Sequence, residues 1–158
     1  PGGDDRFFNN LFVGREGLAV YDKAALPMQM AGNVFLRDAQ PSRHEQNPLV
    51  VQDFDPGLTL AEKPDGLYLE AVFDKAWTAG QSRQIVTTER LGKAKVPDLP
   101  YEKPDGSPYR LDRDYFGVPR HAAQPCPGPF ELPEGGRQIL RVWPIGTGAG
   151  GASAAGSR

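Results

Sequence analysis

Asn10-Leu-Phe-Val13 and Asn33-Val-Phe-Leu36 match position by position, Asn with Asn and Phe with Phe, at an offset of 23 residues. A period of roughly 20 to 50 residues signals supersecondary units stacked on one another rather than a single closed globule. Each unit here reads as one short β segment followed by an excursion punctuated by Gly and Pro, as in one coil of a parallel β-helix. Stacking places Asn10 beside Asn33 and Phe12 beside Phe35, giving an amide ladder and an aromatic stack. The strands around Leu11 and Val34 should then run parallel and in register, about 4.8 Å apart. Two such coils are visible, fewer than the roughly three that a free-standing stack needs. They read as the end of a solenoid, cut from something longer, rather than a whole domain.

Outward from the repeat, the residues continue to favour strands and turns. Nineteen glycines and 16 prolines make up more than a fifth of the 158 residues, so long helices have almost nowhere to form. Eight Phe, five Tyr and two Trp supply the aromatic mass that a disordered chain lacks. Pro64-Asp-Gly66 sits between residues 58–63 and 67–73 with the dihedral preferences of a hairpin turn, and alternation puts Leu67, Leu69, Ala71 and Phe73 on one face. Pro104-Asp-Gly106 repeats that turn chemistry, and residues 138–143 form a closing strand. Residues 81–91 are divided: Gly92 suits the cap of a short helix, while Ile85, Val86, Thr87 and Thr88 favour a strand, which is the reading preferred here. From Gly146 onward the composition collapses to Gly, Ala, Ser and Thr, with too little apolar surface to offset its ordering entropy, so residues 146–158 read as a mobile tail. The expected organisation is terminal coils over 1–50, a mainly antiparallel β region over 51–145, and that tail.

Charge and cysteine content narrow the function classes. Eighteen Lys and Arg against 20 Asp and Glu leave a net charge of −2, with no electrostatic footprint for nucleic acid or an anionic membrane. The longest uncharged stretch, 142–157, is shorter than the roughly 20 apolar residues of a membrane helix. A lone Cys126 cannot close an internal disulfide, and His44 and His121 have no cysteine pair between them, so neither a metal site nor a cofactor is expected. Gly146-Thr-Gly148-Ala-Gly-Gly151 matches a dinucleotide-binding pattern, yet only seven residues follow it and no helix or ribose-binding acid can be built from them.

Two segments carry a resemblance. Asn9-Asn10-Leu11-Phe12-Val13-Gly14 resembles the coil strands of right-handed parallel β-helix proteins, the group that includes pectate lyases, other polysaccharide lyases and several glycoside hydrolase families. Asp114-Tyr-Phe-Gly117-Val-Pro119-Arg120, followed by Pro127-Gly128-Pro129-Phe130-Glu131, is similar to a closing segment that many bacterial members carry where the helix ends, with Pro129 in place of the commoner Ala. The whole looks like the C-terminal part of β-helix proteins near the α-L-fucosidase and xylanase family of glycoside hydrolases. The resemblance implies an all-β chain: the last coils of a right-handed parallel β-helix, then a small loop-rich region. It implies a secreted, periplasmic or cell-surface carbohydrate-active protein, acting on a polysaccharide or oligosaccharide, with catalytic carboxylates on coils upstream of this chain. A non-catalytic carbohydrate-binding or structural module is the alternative, since related solenoids host several chemistries.

Candidate site residues are few. Asp112 and Asp114 share a face if extended and could act as general acid and base or form a calcium-binding edge, although turn and capping roles are commoner for such a pair. Asp53 and Asp55, directly before Pro56-Gly57, read as an Asx turn. Arg120 and Glu131 read as an ion pair pinning the closing loop. His44 is a candidate proton shuttle in a polar connection. Trp77, Tyr68 and Tyr101 are candidate platforms for sugar rings, with core or edge packing the commoner fate of each.

Overall fold

The computed structural model describes residues 2–145. The tail and its glycine pattern, 146–158, lie outside them. The described residues are all-β with almost no helix, built as three three-stranded sheets. Two are parallel: β1 (Arg6–Phe8), β3 (Gln29–Ala31) and β5 (Glu45–Gln46) form one, and β2 (Leu11–Val13), β4 (Val34–Leu36) and β6 (Leu49–Val51) the other. Leu11 pairs with Val34, Phe12 with Phe35 and Val13 with Leu36, the register expected from the repeat. A third rung completes the stack, since Val34 pairs in turn with Leu49 and Phe35 with Val50.

Each rung turns a corner in the same way. A residue with left-handed backbone ends the first strand: Asn9 at φ 59°, Gly32 at φ 70° and Asn47 at φ 53°. The next residue, Asn10, Asn33 or Pro48, leads into the second strand. Asn and Gly tolerate that conformation best, which is why they recur at this position. The mid-strand residues Phe7, Phe12, Met30 and Phe35 meet between the two sheets with Leu18 and Ala39, and Phe12 stacks on Phe35 with ring centroids 5.2 Å apart.

The outward residues of the second sheet form another core. Val34 and Leu36 pack with Leu11, Leu49 and Val51 against Trp77, Phe54 and Phe73. That cover comes from Phe54 in the connection after β6, from Phe73 at the end of β8 (Gly66–Phe73) and from Trp77 in α1 (Ala76–Ala79), a single helical turn; β8 is the centre of an antiparallel sheet, between β7 (Thr59–Lys63) and β9 (Gly136–Trp143). The Pro64-Asp-Gly66 hairpin and the closing strand therefore stand where the sequence puts them. Ala71 and Leu140 anchor the covered face at 3% and 2% exposure.

Residues 81–91 require a correction. Ile85 and Val86 are buried and Thr87 bridges Arg110, but the strand reading fails at α2 (Thr88–Leu91), a turn of helix. Thr87 caps it by accepting the Arg90 N–H on its hydroxyl, and Gly92 ends it at φ 69°. Local capping chemistry outweighed the β-branched preference.

Candidate functional site

The corner of the first rung opens on a groove of about 300 Å³. One wall is the rung itself from Phe8 to Leu11, and the other comes from Ile85, Val86, Leu111, Arg120, Pro125, Gly128 and Pro129. The closing segment holds that second wall in place. Asp114 Oδ1 accepts the N–H groups of Phe116 and Val118 at 2.9 and 2.8 Å, and its Oδ2 accepts that of Glu131 at 3.0 Å. Arg120 lies 3.4 Å from Glu131 in a nearly buried ion pair and donates to the carbonyls of Cys126 and Gly128. Gly128 N–H then donates to Asn9 O at 2.7 Å, fastening the segment to the rung. Gly128 sits at φ +81°, and a Cβ there would lie 2.8 Å from the Leu11 side chain, so glycine is required by both backbone and contact.

Asn9 and Asn10 are the polar residues on the rung side, and a buried polar network stands behind them. Asn33, fully buried, accepts the Asn10 N–H and side-chain amide on its Oδ1 at 2.8 and 3.0 Å. Its Nδ2 donates to Phe7 O at 2.8 Å and to Glu45 at 2.7 Å, so Glu45 ends the ladder where Pro48 replaces the amide. Burial pushes the Glu45 carboxyl up, against the lowering effect of its bonds to Asn33. Arg83 is 1% exposed and holds Gly32 O at 2.8 Å through Nε, and desolvation lowers its pKa to about 10. Near the groove, Arg90 lies 4.7 Å over the Phe8 ring, and Asn9 Oδ1 and Arg90 Nε are buried atoms without a partner among the described residues.

The residues singled out from the sequence scatter. Asp112 pairs at the surface with Arg110 at 3.1 Å, whereas the Asp114 carboxylate is taken up by three backbone N–H groups. They share no partner. Asp55 closes the Asx turn by accepting Gly57 N–H at 2.9 Å. His44 donates its backbone N–H to Ser42 Oγ, which donates to Asp22 at 2.7 Å; that bond comes first in holding the Asp22 carboxyl below its usual range. The His44 Nε2 is buried and unpartnered among the described residues. Glu45, its neighbour, turns instead to Asn33.

Of the three aromatic candidates, Trp77 has to be corrected. At 3% exposure, edge-on to Phe54 and Phe73, it is a core residue with no face for a sugar. Tyr68 is half-buried, gives its hydroxyl to Asp65 at 2.7 Å and has Lys63 Nζ 4.2 Å over its ring. Tyr101 is half-buried beneath the Arg6 guanidinium, 4.7 Å away. The aromatic residue that sequence reasoning passed over is Trp143, 62% exposed at the end of β9. In the sequence it stands only as the last residue of the closing strand 138–143, and its exposure follows from its place at the end of the sheet.

No family model and no curated protein matches the chain. A solved structure described as the complex of XylC with xylose is similar at a TM-score of 0.78 and 26% sequence identity, over 89% of this chain and 26% of that one. The chain thus spans about a quarter of the length of that carbohydrate-binding structure.

Proposed function

We propose that the chain is the C-terminal part of a secreted, right-handed parallel β-helix glycoside hydrolase, in which it supplies an edge of the sugar-binding groove while the catalytic carboxylates stand on coils before residue 1. The observation that carries this reading is the likeness to a protein seen with xylose, along nearly the whole chain and at high structural overlap. Three rungs in one parallel register support the β-helix, and parallel strand connections are overwhelmingly right-handed. The polar and apolar lining of the corner groove suits a neutral sugar, with Asn10 amide chemistry beside Leu11 and Leu111. Hydrolysis needs two carboxyl groups about 5 or about 6.5–9.5 Å apart across the scissile bond. Among the described residues Asp114 is committed to its loop and Asp112 to Arg110, which supports placing the pair elsewhere.

Calorimetric titration with xylose and xylo-oligosaccharides, alongside an aryl-xyloside hydrolysis assay, tests the reading. Saturable binding with no turnover by the 158-residue chain is expected. Absence of any binding would sink it, and so would turnover that disappears in Asp112→Asn or Asp114→Asn. A non-catalytic carbohydrate-binding module is the second reading, favoured by the exposed Trp143; a longer product of the same gene that binds but never hydrolyses would select it.

A further inference from the structure

We propose that the tip of the β7–β8 hairpin and the end of β9 form a second sugar-binding site, with Trp143 as its platform and a neutral oligosaccharide as its ligand. The hollow there has a volume of about 580 Å³ and is lined by Glu62, Lys63, Asp65, Leu67, Trp143 and Pro144. The inference rests on the carbohydrate reading above and adds a location separate from the corner groove, with which it shares no lining residue.

Three features make the platform rigid before any ligand arrives. Leu140, at 2% exposure, anchors β9 in the core. The Val142 carbonyl next to Trp143 accepts the Tyr115 hydroxyl at 2.7 Å. Across the sheet Gly66 lies at φ +150°, where an added Cβ would collide with the Trp143 carbonyl, so glycine lets the chains approach. The register shifts by one residue between Leu67 and Tyr68, at the pair that holds Trp143. A backbone held in place beneath the indole leaves only side-chain freedom to be lost on binding, the condition under which a weak stacking contact is retained as affinity.

The chemistry around the ring selects the ligand. Trp143, 62% exposed as a residue, offers apolar ring area to the C–H face of a sugar, while polar groups beside it meet the hydroxyls. Glu62 and Asp65 contribute acceptors and Lys63 a donor. Arg141 lies 4.0 Å from Asp65, so the two acids are balanced by two cations. That balance disfavours an anionic ligand and suits a polyhydroxylated neutral one. Tyr68 enters indirectly: its hydroxyl holds Asp65 at 2.7 Å, orienting the carboxylate.

The two tryptophans make the test spectroscopic. Trp77 is buried and Trp143 exposed, so the red-shifted, acrylamide-quenchable part of the emission reports on Trp143. Titration with xylobiose and xylotetraose should shift that component to the blue and protect it from acrylamide, whereas glucuronate at equal concentration should not. Trp143→Ala should remove one of two calorimetric binding events and leave that of the corner groove, while Trp143→Phe retains part of the first, both with an unchanged circular dichroism spectrum. Both events intact in Trp143→Ala would overturn this site. If Leu111→Arg, which fills the corner groove, then abolishes binding, the location is wrong and the carbohydrate reading stands. If the wild-type chain binds no oligosaccharide, both fall.

Discussion

At the residue scale the decisive group is Asn33. Fully buried, it joins three rungs by serving Asn10, Phe7 and Glu45 at once. Such a group is costly to leave unpaired, which makes the rung register specific as well as stable. Glu45 adds a pH dependence. Its folded-state carboxyl sits above the value of 4.5 it has when free, because burial penalises the charge more than the Asn33 bonds favour it. Its contribution is therefore fully present below pH about 4.5 and is lost as pH rises through the raised value. Urea unfolding of the wild type and of Glu45→Gln, compared between pH 4 and 8, should show the wild type losing stability relative to the variant as pH increases. A wild type whose stability relative to the variant stays constant or rises with pH would refute the assignment. Asp4 and Asp22, both lowered, act at the acid end and affect the two proteins alike. The Asn10 and Asn33 pairing was legible because two identical residues recurred in phase. The Glu45 partnership was not, since its side chain reaches Asn33 across two rungs of different sequence spacing.

Among the elements, the corner of each rung shows what the sequence hides. Rungs one and two are offset by 23 residues and rungs two and three by 15, so a search for a fixed period finds only the first pair. Pro48 and Val50 also replace the Asn and Phe that mark the earlier rungs. What persists is backbone conformation, with Asn9, Gly32 and Asn47 all at positive φ. Gly32 is the least replaceable of the three, because an added Cβ would lie 2.6 Å from Asn9 Oδ1 and would face the Arg83 side chain. Gly32→Ala should therefore cost more than about 1 kcal/mol, while Asn47→Gly should change stability by only a few tenths. Equal denaturation midpoints for the two variants would show that the corner conformation is not what holds the rungs. The same distinction explains the misread segment 81–91. Propensity favoured a strand through Thr88, but a side-chain cap at Thr87 and a glycine at 92 decide locally where a helical turn begins and stops. Trp77 meets the commoner fate of a candidate platform, core packing, because the outward face of β2, β4 and β6 needs a cover.

For the whole molecule, the stack is unequal at its two faces. Phe35 in the middle rung is fully buried, whereas Phe7, Phe12 and Tyr21, which share its core, are only partly so. Among the described residues β1 and β2 each have one strand neighbour, and their other edges carry backbone groups with no strand partner. Such an edge, flat and apolar, templates pairing with another chain. The direction of each group follows from the ladder. Gly14 N–H donates to Leu36 O and Asn10 O accepts from Val34 N–H, both toward the second rung, so alternation turns the Val13 N–H away from it. Proline at position 13 removes a donor the fold does not use and obstructs a strand arriving from outside. Sedimentation of the 158-residue chain should therefore show concentration-dependent association that Val13→Pro weakens several-fold, with the unfolding midpoint little changed. Association unaffected by the proline would mean that the chains meet elsewhere, and the exposed Leu58 and Leu60 of the hairpin would be the next surface to block. A large drop in the midpoint would instead show that the Val13 N–H is bonded within the fold and that the free edge has been drawn on the wrong side.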